Sequence, residues 1–192
     1  MAITTINNRS INRSDTAAAG QKWTATSATA SDFQAAGGIT EVDQWRITTN
    51  YTKTGSGTAD ITANWERSDT DGFGQIGTGM TESSGIFTFP STGFYEVHAT
   101  ASMYGYGGGR TYMGFGLMVT LNNSSYSATA QSYDSSYADT YYGSGYCVGI
   151  IDVTDTANVK VKMQASVAGD TRFEGDTGQI KTGFTFIRLG DT

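Results

Sequence analysis

An all-β, antiparallel two-sheet sandwich or jelly roll with an extended N-terminal arm is the fold class this sequence predicts, on three observations. Long runs alternate strictly in period 2, most cleanly from Tyr95 to Met103, where Tyr95, Val97, Ala99, Ala101 and Met103 oppose Glu96, His98, Thr100 and Ser102. The composition is that of short strands and tight turns: 25 glycines, abundant Thr, Ser and Tyr, one proline and only 16% charged residues. From Gln44 onward strand signals recur at short intervals, separated by Gly, Asp, Asn and Ser.

Residues 1–42 differ from the rest of the chain. They are rich in Thr, Ser, Asn and Ala, show no sustained period of 2 or 3.6, and cannot form a core alone. Their charges cancel: Arg9, Arg13 and Lys22 against Asp15, Asp32 and Glu41. "ASDFQAAGG" reads as one short helical turn, capped by Ser31 or Asp32 and stopped by Gly37. The segment is either a disordered tail or an arm that orders on a partner, with Trp23 and Phe33 as its apolar anchors.

The head, residues 43–192, then runs strand by strand. Trp45, Ile47, Thr49 and Tyr51 share a face, as do Ile61, Ala63 and Trp65; Ile86 to Phe89 is a short strand. Pro90 cannot donate to a ladder, so with Ser91, Thr92 and Gly93 it ends that strand before the Tyr95 run begins. Met113, Phe115, Leu117, Val119 and Leu121 point one way, and Asn122-Asn123 turns the chain into a weaker strand over 126–133. Tyr146 to Val153 is apolar on both faces, which places it centrally in a sheet or under another subunit. Val159, Val161, Met163, Ala165 and Val167 face inward on the next strand, and Ile180 to Leu189 closes the chain. Eight to ten strands are expected in all.

Bulk properties exclude several function classes. A net charge of −6 without a basic cluster argues against nucleic-acid binding. No apolar run is long enough to span a membrane, and the first residues have no signal-peptide core, so the expectation is folding in a reducing, cytoplasm-like space without membrane insertion. Cys147, the one cysteine, allows no internal disulfide and reads as a packed thiol. The single histidine, His98, falls on the polar side of its strand, which removes a histidine-based triad and most zinc sites. Gly72, Gly74 and Gly77 spell Gly-x-Gly-x-x-Gly, but no βαβ context accompanies them. No carboxylate pair stands out, and an enzyme is not expected.

Two side-chain groups remain. Asp69, Asp71, Asp170 and Asp176 sit in acidic loops and offer the oxygen ligands calcium uses, without the full spacing of a calcium loop; solvated turns are the plainer reading. Most of the eleven tyrosines fall between Tyr104 and Tyr146, and Tyr133, Tyr137, Tyr141, Tyr142 and Tyr146 lie among Ser and Gly, a composition typical of recognition loops. They either stack on sugars of a host surface or fill a subunit interface. Gly107 to Gly109 before Arg110 reads as a hairpin tip.

Gly85, Phe87, Pro90, Gly93 and Tyr95, followed by "GIIDVTDTANVKVKM" and the closing "TGFTFIRL", resemble the globular head of the complement and tumour-necrosis-factor superfamily over residues 44–190. The resemblance implies a ten-strand jelly roll that assembles as a tight homotrimer, with calcium near the trimer apex in some members. A trimeric jelly roll behind a short arm resembles a bacteriophage virion protein. The implied role is capsid decoration: assembly in the host cytoplasm, display on the virion surface, and docking on the major capsid or another virion protein through Arg9, Arg13, Trp23 and Phe33. The alternative is a fibre tip or adhesin that binds a receptor glycan.

Overall fold

The computed structural model describes residues 21–25, 31–35, 38–70 and 72–192. The chain divides into an N-terminal unit, Met1–Gly38, and a head, Ile39–Thr192. In the N-terminal unit, β1 (Gln21–Ala25) pairs antiparallel with β2 (Ser31–Ala35), with Trp23 opposite Phe33. The helical turn expected here is therefore a strand. Five residues are too few to nucleate a helix alone, whereas a facing segment supplies ladder partners. Arg9 and Arg13 lie outside the described residues, as does Asp71.

The head contains β3 (Val42–Ile47), β4 (Tyr51–Lys53), β5 (Gly57–Asp60), β6 (Trp65–Arg67), β7 (Thr81–Ser83), β8 (Ile86–Thr88), β9 (Gly93–Gly105), β10 (Arg110–Thr120), β11 (Tyr126–Ser136), β12 (Tyr142–Val153), β13 (Lys160–Val167), β14 (Thr171–Phe173) and β15 (Gly183–Gly190). One sheet runs β11-β10-β13-β8-β7, with β5 also on β13. The other runs β6-β3-β15-β9-β12, and β14 continues along β9 beyond β15 and carries β4. All pairings are antiparallel, and the inner faces share one core, so the head is the expected two-sheet jelly roll.

Register defines two ends. Val42, Phe94, Val153 and Gly190 share the end where the head's first and last strands meet, while Gly105, Tyr142 and Thr171 share the far end.

The phrase around the single proline has a structural role at each position. Phe87 is the hub of an aromatic cluster, with ring centroids 5.4 Å from Trp45, 5.1 Å from Trp65, 5.2 Å from Phe184 and 5.5 Å from Phe186. Pro90 lies in the bend between β8 and β9. Gly85 has a φ of 79°, and a Cβ there would run into the Ile61 carbonyl. The Tyr95 ring is buried, and its hydroxyl lies 2.9 Å from Ser91 Oγ and donates to Ser91 O at 3.1 Å, which closes the corner.

Three expectations are corrected. Ile61, Ala63 and Trp65 do not share a strand: β5 ends at Asp60, Asn64 has a φ of 66°, and the chain turns before β6. Leu121 does not continue the inward row of β10, because the strand ends at Thr120 and Leu121 is 71% exposed. The third concerns the central placement expected for β12, which among the described residues pairs only with β9 and is an edge strand. Cys147, Ile151 and Val153 face the core, but Tyr146, Val148 and Ile150 point out.

The edges β11 and β12 meet through side chains. Ser132 Oγ accepts the Tyr146 amide at 3.2 Å, and Asp134 Oδ2 accepts the Ser144 amide at 3.1 Å. Glycines permit the approach: a Cβ at Gly145 would stand 2.8 Å from both Phe115 Cε1 and Ser132 Oγ.

Candidate functional site

The period-2 geometry that buries one face of each strand also decides which residues the two outer faces present. The outer face of the β10–β13 sheet is polar: Lys160, Lys162, Gln164 and Ser166 alternate with buried residues along β13. Lys162 pairs with Asp60 at 2.6 Å and lies 4.0 Å over the Tyr126 ring. The outer face of β12, β9 and β15 is different. Ile150 (64% exposed), Val148 (43%) and Phe94 (38%) lie in the half nearer the head's termini, beside Ile187, and Tyr146 lies above them. These side chains form a strip of exposed apolar groups that Glu96 and His98 of β9 interrupt.

His98 sits within this strip. Its Nδ1 is hydrogen-bonded to the Tyr146 hydroxyl, and its Nε2 lies 2.8 Å from Glu96 Oε1 but out of line for a hydrogen bond. The three groups lie on an open sheet face.

The five tyrosines separate into three places. Tyr146 and Tyr142 are on the outer face of β12. Tyr133 is on the opposite side of the sandwich, edge-on to Tyr112 with centroids 6.0 Å apart. Tyr137 (94% exposed) and Tyr141 lie in the loop between β11 and β12 at the far end. The five tyrosines therefore do not form one surface: two lie on a strand face, one on the opposite sheet and two in an end loop.

The far end also carries two arginines. Arg172 and Tyr142 both stand opposite Tyr104, so the three form a row across β14, β9 and β12. The guanidinium of Arg172 donates to the Tyr104 hydroxyl at 2.9 Å and lies 4.3 Å from the Tyr106 ring centroid. Arg110 binds carbonyl oxygens instead: Asp170 at 2.8 Å, Gly108 at 3.0 Å, Gly109 at 2.7 Å and Tyr106 at 2.5 Å. Arg110 thereby fixes the Gly107–Gly109 tip.

Arg172 escaped sequence reasoning because "GDTRFEGD" scans as an acidic loop. Its alternation with buried Thr171 and Phe173 was the available signal.

The acidic candidates do not converge. Asp69 pairs with the buried Arg46 at 3.2 Å, and Arg46 also pairs with Glu66 at 3.0 Å. Asp176 accepts the Gly178 amide, which together with Lys181 at 3.4 Å holds its carboxyl below the usual range. Asp170 accepts the Gly55 amide at 2.6 Å, away from both. Among the described residues no group of three or more His, Cys, Asp or Glu forms a metal site. Gly72, Gly74 and Gly77 lie in irregular chain before β7, without a following helix. Cys147 is buried against the core, and desolvation pushes its thiol up.

No helix among the described residues is long and apolar enough to cross a membrane. A groove of about 550 Å³ lies at the end near the head's termini, lined in part by Val119, Leu121, Ile150 and Asp152.

No protein-family model matches the chain. No curated protein matches it either. Solved structures do. Murine APRIL superposes with a TM-score of 0.56 at 14% identity, covering 78% of this chain and 98% of that one. The Eiger TNF of S. frugiperda superposes with a TM-score of 0.57 at 16% identity, covering 79% of this chain and 93% of that one. At these identities the likeness establishes the fold: a jelly roll of the tumour-necrosis-factor type.

Proposed function

We propose that this chain, whose head has the jelly-roll fold of tumour-necrosis-factor ligands, is a non-enzymatic binding protein. It associates with itself as a trimer through the apolar outer face of β12, β9 and β15. Its tyrosine-rich far end engages a glycan receptor. The observation that carries the reading is the placement of exposed aromatics. Tyr106, Tyr137, Tyr141 and Tyr142 gather at the end opposite the head's own termini, where a partner meets no other part of the head. Tyrosine supplies contact area at low entropic cost. The likeness to tumour-necrosis-factor ligands supports the non-enzymatic reading, and among the described residues His98 lies on an open face and Cys147 is buried with its thiol pushed up.

The test is an oligosaccharide array probed with the full chain and with the Tyr137→Ser/Tyr141→Ser double variant. Binding that falls in the variant, with melting temperature unchanged, supports the reading. Array binding that the double variant leaves intact opposes it.

Capsid decoration is the second reading, favoured by the separate N-terminal unit in which Trp23 stands opposite Phe33. On that reading the chain is displayed on a virion surface after assembly in the host cytoplasm. Co-sedimentation of the full chain with particles that lack it, abolished by Trp23→Ala and Phe33→Ala, is the outcome that supports decoration.

A further inference from the structure

The head's arginines divide by partner. Arg46 pairs with Glu66 and Asp69, Arg67 with Asp43, and Arg188 with Asp191. Arg172 and Arg110 have no carboxylate within ion-pair distance among the described residues, in a chain of net charge −6. Both stand at the far end, and Tyr106 links them: its carbonyl accepts from Arg110, and its ring lies over Arg172. The acids in this region are engaged by backbone amides, Asp170 with Gly55 and Asp139 with Gly107.

Arg110 spends its donors on carbonyls, so Arg172 is the cation with capacity left. Its Nη1 donates to Tyr104, its Nε makes a long 3.4 Å contact with Thr52 Oγ1, and no acceptor is bound at Nη2 among the described residues. The Tyr104 hydroxyl and the Tyr106 ring hold the guanidinium plane in place, which reduces the entropy lost when it grips a ligand.

We infer that Arg172, with Tyr106 and Tyr142, forms a subsite for a carboxylate-bearing sugar. A guanidinium offers a carboxylate two parallel N–H donors, and tyrosine faces accept the C–H faces of a pyranose ring. An acidic peptide is the less favoured occupant, because the groups beside Arg172 are the tyrosine rings of Tyr104, Tyr106 and Tyr142, which offer flat faces to a sugar ring and no acceptor or donor row for a peptide backbone. The inference rests on the far end being the receptor surface.

The experiment measures binding of the full chain to immobilised oligogalacturonate, to its methyl ester and to poly-glutamate, for the unaltered protein, Arg172→Gln and Tyr137→Ser/Tyr141→Ser. The methyl ester keeps the rings and removes the charge. The expected result is binding to oligogalacturonate, loss on esterification, and weakening by roughly tenfold or more in Arg172→Gln, the scale of a charged hydrogen bond. An unchanged melting temperature excludes unfolding.

Equal binding of acid and ester, with Arg172→Gln silent and the tyrosine variant impaired, overturns the subsite and leaves the receptor reading standing. Binding unaffected by either variant overturns both. Poly-glutamate binding that depends on Arg172, or no binding to oligogalacturonate, overturns the assignment of a carboxylate sugar.

Discussion

The Tyr146 hydroxyl of β12 is hydrogen-bonded to Nδ1 of His98 on β9, and both side chains lie on the outer face of the sandwich that carries the exposed Phe94, Val148 and Ile150. Val148 stands directly opposite His98, and Ile150 directly opposite Glu96. The chain's only histidine therefore sits in the middle of the surface assigned to self-association.

Tyr146→Phe removes this bond while keeping the ring. In an isolated head the pair is open to water, so the melting temperature is expected to change little. Under a covering subunit the His98 nitrogen is left without its partner, and association is expected to weaken by about 1–3 kcal/mol. Sedimentation equilibrium of the variant against the parent checks it; equal association constants count against burial of this pair.

Gly145→Ala is expected to destabilise the head by about 1–3 kcal/mol, because its Cβ must displace Phe115 and Ser132 on the facing elements. Gly190→Ala, where an added Cβ meets nothing within 4 Å, is the matched control and is expected to be nearly silent. Urea melts of the two variants separate these outcomes.

Val161→Asp places a carboxylate at a position with no solvent exposure on β13 and is expected to cost several kcal/mol, comparable to the whole stability of a domain. The neighbouring Lys162 reads from sequence as an ordinary surface lysine. The structure pairs it with Asp60, so Lys162→Asp brings two carboxylates together and costs more than a typical surface change. Lys162→Met, which keeps the packing on Tyr126, is expected to stay within about 1 kcal/mol in the same melts.

Cys147 is held protonated by burial, with its folded-state pKa raised above the unfolded value. Its linkage therefore favours the folded state below about pH 8.5, the free-thiol value, and this contribution is lost as pH rises through the higher folded value. In the native protein Cys147 is expected to react with a thiol reagent only through unfolding. Labelling at pH 8 that is as fast as for a free thiol contradicts the burial.

Strand phase was legible wherever one face is buried: Tyr95 to Met103 and Val159 to Val167 follow the alternation residue by residue. Period 2 says nothing about which strands are neighbours, so the edge position of β12 was invisible. Its two-sided apolarity comes from a core face and an apolar surface face. The far-end site was legible by type, through the tyrosines, but not by place. Tyr133 and Tyr142 are nine residues apart and end on opposite sides of the sandwich, because the chain crosses from one sheet to the other between them. Arg172 becomes a candidate only when register puts Tyr104 and Tyr142 in its row.

Trimerisation through the apolar outer face is decided by the solution mass of the full chain and of Ile150→Asp, from light scattering at micromolar concentration. The chain mass is 20.4 kDa, and Ile150 is exposed, so within one head the substitution adds only the repulsion between the new carboxylate and Glu96 directly opposite. Three times the chain mass is expected for the parent and a single chain mass for the variant, with both melting cooperatively. A parent at 20.4 kDa, or a trimer that Ile150→Asp leaves intact, contradicts self-association through this face.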